Sequence, residues 1–532
     1  MRVRNLNILL LLSILAYLLF RLPDLGVMPY WDWDEGVNMN MAYNVAYGRP
    51  LWFTLIFPFV PHPPLYLLSL GLMLRLFGNE LIVLRIFSVL LGLFTLSFVY
   101  LTGRELKGPS FGVLASALYA LYPMAIYWDR MGFANNMFSL LIVASLYSIL
   151  RYLRTGQTRF LYCSALLAGL SPVTQYIGAS TVLSFAIALY LAKRIRLKPI
   201  LFSLLPFFAL VSAMLILMRA PFIEDVRFQI DRFNLAGFLM LVAAVLLAYV
   251  GLHLLKPLKR IISDAFWNAY ARLGLSREFL AEYDVPILLI SVNFVMALDA
   301  FHVLSYQYLF TGLGYYWVGI VGLFLFERGI PRAVLLSYFI PLFLLIFKIG
   351  RTDHMTIPLN PFFAIGFAAL LMRLTSVIRQ LTSNRKVIAG FTVLLVLPFA
   401  SIFLRDVQAF VLTGLKTESL TERFELASYL DNNTAPGEYV LVDSHEGRFI
   451  KANYSIVTQS IAVNGRQIGY YRGDYEPGRF VVNFSYQGAK YIVLEEGGIE
   501  WLSGNVSDIA SEISEWGVEA EFGRFQVLRN PK

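Results

Sequence analysis

The stretch Pro64-Leu65-Tyr66-Leu67-Leu68-Ser69-Leu70-Gly71-Leu72-Met73-Leu74-Arg75-Leu76-Phe77 decides how the rest of the chain is disposed about a membrane. It is apolar, yet shorter than the roughly 17 to 25 residues that a helix needs to cross the hydrocarbon core, and it carries Arg75. If it crosses, the basic loops 151–154, 193–198 and 373–386 all face outward, against the rule that Lys and Arg collect in cytoplasmic loops. If it lies flat at the interface, every one of them faces the cytoplasm. The flat reading is adopted.

A membrane is required by the composition. The 532 residues are 58% hydrophobic, 15% aromatic and 15% charged, with mean hydropathy +0.63, whereas soluble chains are roughly 45 to 50% apolar. Thirteen crossings are predicted, at 5–22, 81–102, 111–128, 133–153, 157–171, 173–192, 199–218, 235–255, 285–304, 311–326, 331–349, 357–375 and 387–405. Met1-Arg2-Val3-Arg4 and the apolar run to Phe20 read as a retained signal anchor, because no small-residue cleavage pattern follows. With an odd number of crossings, the carboxyl-terminal region is external. So are the loops 23–80, 129–134, 219–234, 305–310 and 350–356, while 256–284 reads as a cytoplasmic surface helix.

Two regions follow: a transmembrane domain over 1–410 with the external loop 23–80, and an external soluble α/β domain over 411–532. In the second, short β patterns at Tyr439-Val440-Leu441-Val442 and Tyr491-Ile492-Val493-Leu494 accompany a helical pattern from Glu422 to Leu430. Residues 406–532 hold 18 acidic and 11 basic side chains, so the basic excess of the chain belongs to membrane loops. No nucleic-acid partner is implied. The four Asn-x-Ser/Thr sequons, at Asn432, Asn453, Asn483 and Asn505, all fall in this region, in agreement with an external domain. Trp501 and Trp516 are expected in its core. Cys163, the lone cysteine, excludes an internal disulfide.

The chemistry is concentrated in the external loops. Asp32-Trp33-Asp34-Glu35 follows the first crossing, and ionised groups near hydrocarbon are tolerated mainly where a wet cavity or a cationic partner receives them. Asp-x-Asp can hold a divalent cation; Asp-Glu can offer one carboxylate as general base and a second to position it; a solvated loop cluster is the bland reading. His62, in Pro61-His62-Pro63-Pro64, is a candidate for a phosphate contact or, with Asp32, Asp34 and Glu35, for a metal site. Arg130 and Asn135 bring a cation and an amide to the same face. Lys348, Arg351 and His354 make the densest external cation group of the membrane half, suited to an anionic lipid headgroup; snorkelling is the bland alternative.

These residues resemble the GT-C glycosyltransferases that use polyprenyl-phosphate sugars, in the branch of the protein O-mannosyltransferases and the lipid A aminoarabinose transferase. The resemblance is carried by Asp34-Glu35, Ala42 to Gly48, His62-Pro63-Pro64-Leu65, Phe77-Gly78, Arg85 and Arg104-Glu105-Leu106, across roughly the first 155 residues. It implies a catalytic carboxylate at Asp34, its partner at Glu35, and donor-phosphate or substrate contacts among His62, Arg130, Asn135, Arg351 and His354. Two positions depart from the pattern: Pro63 stands where the aminoarabinose branch has a lysine, and Asn135 where the family has an acid. The implied reaction is an inverting transfer of mannose or another hexose from a polyprenyl or dolichyl monophosphate to a hydroxyl on a protein, glycan or lipid. No cofactor is required by this reading, although a divalent cation is compatible with it. The implied setting is an archaeal or bacterial plasma membrane with the site on the external face. A transporter or flippase of lipid-linked sugars, and a non-catalytic relative, remain open as alternatives.

Overall fold

A computed structural model of the protein describes residues 3–26, 29, 33–46, 62–217, 223, 319–326, 329–349, 353–381, 420–443, 446–468 and 484–532. The crossings predicted at 235–255, 285–304 and 387–405, and the surface helix at 256–284, lie outside them.

The membrane half begins with α1 (Val3–Arg21), α2 (Trp33–Ala46) and α3 (Pro64–Phe77), followed by the long α4 (Leu81–Lys107). Then come α5 (Pro109–Ala120), α6 (Pro123–Trp128), α7 (Ala134–Thr155), α8 (Thr158–Thr174), α9 (Ala179–Leu191) and α10 (Leu197–Leu217). After the undescribed stretch follow α11 (Gly319–Phe324), α12 (Ile330–Ile349) and α13 (Asn360–Leu381). Four helical stretches among the described residues are long and apolar enough to cross a bilayer: Leu81–Lys107, Ala134–Thr155, Leu197–Ile216 and His354–Arg379. Shorter apolar helices, including Pro64–Phe77, accompany them.

Two predicted boundaries move. The crossing at 111–128 is broken into α5 and α6, because Pro123 lacks an N–H and disfavours helical backbone in the residue before it. The boundary predicted between 171 and 173 is absent, since α8 carries Pro172 inside it and ends only at Thr174. There Gln175 takes an extended conformation before a single turn over Tyr176–Gly178.

α3 has two faces. Tyr66, Leu67, Leu70 and Leu74 are buried, whereas Leu68, Leu72 and Leu76 form an exposed apolar stripe at four-residue spacing. Elsewhere helices close on small residues and hydroxyls. A Cβ on Gly322 of α11 would collide with the backbone of Gly366 in α13, so these helices meet backbone to backbone. Ser145 of α7 and Tyr338 of α12 share a buried hydrogen bond of 2.8 Å, with Ser164 of α8 alongside.

The tail is a five-stranded sheet ordered β2-β1-β3-β5-β4, with α14 (Leu420–Asn433), α15 (Val457–Ala462), α16 (Gly498–Asn505) and α17 (Ser507–Ser514). β1 (Val440–Val442) runs parallel to β2 (Tyr454–Ile456) and to β3 (Tyr491–Glu495). β5 (Phe525–Arg529) is antiparallel to β3 and to β4 (Gly517–Phe522). β1 and the first four residues of β3 are buried throughout, which is why they read as unbroken apolar runs. β4 lies on an edge and is guarded by Glu519 and Glu521. The β4–β5 turn places Gly523 at φ 57° where a side chain would be strained. Trp516 is buried as expected, but Trp501 is not: it is 46% exposed on the short α16.

Candidate active site

α2 starts at Trp33, so Asp34 and Glu35 occupy its first turn, where the helix dipole favours negative charge. Neighbouring residues on a helix project about 100° apart, and the two carboxylates have different surroundings. Glu35 is fully buried. Arg85 of α4 donates to it twice, Nε to Oε1 at 3.0 Å and Nη2 to Oε2 at 2.8 Å, and the Gly132 N–H donates to Oε1 at 3.0 Å. Arg85 also donates through Nη1 to the Leu25 carbonyl at 3.2 Å. One ion pair thereby joins α2, α4, the turn after α1 and the 129–133 loop.

Asp34 faces the other way. Its side chain is 40% exposed, and its Oδ2 lies 3.4 Å from Nε2 of His354. Desolvation still holds its carboxyl above the usual aspartate range. The His354 ring stacks on Phe133, with centroids 4.7 Å apart, and meets the edge of Trp128. Asp34 and His354 open onto a cavity of about 110 Å³ that His62, Asn135, Tyr66 and Gln175 also line. Burial pushes the His62 imidazole down to about 4, so it is neutral near pH 7 and acts there as a hydrogen-bonding group without charge.

Asn135 occupies the first turn of α7 and has a precise task. Its Nδ2 donates to the His354 carbonyl at 2.9 Å, and its Oδ1 accepts from Gln175 Nε2 at 3.1 Å. The amide thus joins α7, the turn at 353–359 and the α8 terminus. An acid at this position would lack the donor that holds His354. Gln175 was invisible to sequence reasoning because it lay inside a predicted crossing; a Thr-Gln pair soon after a proline is the signal that marks it.

Arg130 is placed differently from expectation. It is buried, donates through Nη2 to the Pro23 carbonyl at 2.6 Å, and is absent from the cavity lining. Desolvation, and then the neighbouring Arg85 charge, push its guanidinium down to about 10. Asp129 beside it is bound to Arg21, Nε to Oδ2 at 2.9 Å, in a second buried pair. Asp32 and Arg351 lie outside the described residues, as does the side chain of Lys348. Among the described residues no three His, Cys, Asp or Glu side chains are grouped as metal ligands, and Glu35 is committed to Arg85.

Comparison with known proteins agrees with this architecture. The family profile described as dolichyl-phosphate-mannose-protein mannosyltransferase matches residues 61–222. ArnT from Cupriavidus metallidurans bound to undecaprenyl phosphate superposes with TM-score 0.56 at 14% identity, over 98% of this chain and 97% of that one. The Archaeoglobus fulgidus oligosaccharyltransferase tethered to an acceptor peptide gives 0.55 at 14% identity, over 100% and 74% of the two chains. AglB from the same organism, in complex with an inhibitory peptide and a dolichol-phosphate, gives 0.51 at 15% identity, over 99% and 74%. No curated protein sequence matches significantly. The fold is the one shared by these solved structures.

Proposed function

We propose that this membrane protein transfers a single sugar, mannose or another hexose, from a polyprenyl or dolichyl monophosphate to an acceptor hydroxyl. The carrying observation is the contrast at the start of α2. One carboxylate is locked to Arg85, and the next opens onto a polar-lined cavity with its basicity raised. Support comes also from the matched profile and from solved relatives holding undecaprenyl phosphate or a dolichol-phosphate.

In this reaction the acceptor oxygen attacks the anomeric carbon while its proton passes to Asp34. The bond from that carbon to the phosphate oxygen breaks with its electron pair, and the lipid monophosphate leaves with inversion at the sugar. Asp34 is the catalytic base. Glu35 is a positioning residue, because Arg85 and Gly132 hold both of its oxygens away from solvent. His354 sits where a protonated imidazole would balance Asp34 or meet the departing phosphate, with Arg351 and Lys348 proposed as further cations. Neutral His62 supplies a hydrogen bond, and Arg130 supports the loop from below.

The packing of the turn at Glu446–Phe449 on α2 supports a reading in which the proposed site and the tail share one membrane face. That face is the external one in the flat reading of α3. The test is sugar release from a panel of radiolabelled polyprenyl-phosphate hexoses, comparing the parent in lipid with Asp34→Asn. Turnover by the parent and a fall of about 10²- to 10⁴-fold in the variant is expected for loss of a general base. Equal turnover in both proteins would reject Asp34.

A further inference from the structure

We infer that a second cavity, between α2 and the tail, is a subsite for a neutral saccharide borne by the acceptor. This cavity measures about 340 Å³ and is therefore roomier than the one at Asp34; it reaches the size of ordinary small-molecule sites, roughly 300 to 1,000 Å³. The inference rests on the transferase reading, because it gives the cavity the acceptor as occupant.

Two observations identify the ligand class. The lining offers rings from both regions: Tyr43 of α2, Phe424 of α14, Phe449 of the turn at 446–449 and Tyr454 of the edge strand β2. Phe424 is 50% exposed although it touches Phe449 edge to face at 5.3 Å, so a large apolar surface is left open at this point. Between the rings stand the amides of Asn40 and Asn79, with one acid, Glu80, and one cation, Lys451. Ring faces suit the C–H faces of a pyranose, amides suit its hydroxyls, and the balanced charge suits a ligand without net charge. An anionic headgroup would call for an excess of cations. A strand-forming peptide would find only the three residues of β2 at that edge of the sheet.

The placement suits an acceptor. Asn40 and Tyr43 follow Asp34 along the same helix by six and nine residues, a rise of about 9 to 14 Å. A saccharide held there and extending along α2 brings a further hydroxyl toward Asp34. The helix that presents the base at one end thus also contributes to the acceptor subsite farther along.

Saturation-transfer NMR on the protein in lipid nanodiscs, with neutral mannose, glucose and galactose di- and trisaccharides as probes, tests this. Transfer to at least one probe is expected in the parent and equally in Asp34→Asn. It should fall at least fivefold in Phe424→Ala and return in Phe424→Trp; the exposure of Phe424 makes loss of folding an unsuitable explanation, and the melting temperature checks it. No transfer to any probe in the parent, full transfer in Phe424→Ala, or displacement of the probe only by peptides would overturn the inference. Saccharide binding in a protein that turns over no polyprenyl-phosphate sugar would leave the subsite standing and remove the transferase reading. Turnover with an acceptor KM indifferent to Phe424→Ala would do the reverse.

Discussion

The ion pairs of the membrane half and those of the tail obey different physics. Glu35–Arg85 and Arg21–Asp129 are sealed from solvent, and each also holds backbone carbonyls or N–H groups. In the tail, Arg466–Asp508 and Arg529–Glu519 lie at the surface, where water and salt weaken them. The difference teaches that, among the described residues, the buried pairs near the proposed site are architecture around the accessible Asp34, whereas charge on the tail is largely solvation. Among the described residues Arg423–Glu446 is the exception there. It is buried, and it anchors the turn that packs on α2.

Each variant below presses on that contrast. After the loss expected for Asp34→Asn, the largest effect belongs to Arg85→Leu. It strands a buried carboxylate and should destabilise the fold by about 3 to 5 kcal/mol, read as a lowered melting temperature in lipid. Adding Glu35→Leu should recover much of that stability while activity stays low, because the loop held through Gly132 loses its tether; full recovery of activity would show the pair to be dispensable. Asn135→Ala comes next. Loss of its bonds to the His354 carbonyl and to Gln175 should lower kcat about tenfold with the fold retained, since small misplacements of reacting groups are costly.

Protonation sharpens the same point. A base above the usual aspartate range predicts that kcat falls as pH drops through that raised value, with a midpoint higher than about 4. For His62 the folded imidazole titrates near 4 and the unfolded one near 6.5. Protons therefore favour the unfolded chain, and its contribution to stability, complete above about 6.5, declines as pH falls towards about 4. His62→Gln should flatten that part of the melting-temperature profile. The smallest effect is expected for Arg466→Ala, less than about 2 °C in melting temperature, as for other exposed pairs.

Part of the candidate site is legible in the sequence because its polar residues stand out in an apolar chain. Asp34, His62, Asn135 and His354 were singled out from the sequence, and the fold brings all four to one cavity. Arg130 was singled out with them and lies outside its lining, since the loop turns that guanidinium toward the Pro23 carbonyl. Gln175 and Phe133 were missed, the first hidden in an apolar run and the second indistinguishable from lipid-facing aromatics. The strands at 440–442 and 491–495 were readable from apolar runs, but their parallel pairing and the exposure of Trp501 were not.

By itself the sequence determined the membrane class, the apolar helices and an α/β tail, because hydropathy and length are sums over neighbouring residues. It also marked an acid pair as costly enough to need a reason. Only the tertiary structure decided which acid is committed and which is open. Arg85 is fifty residues from Glu35 and Gly132 ninety-seven, and burial against such distant partners cannot be read from spacing along the chain. The second cavity is of the same kind: its walls come from α2, the α3–α4 corner and the tail, and exist only once these pack together.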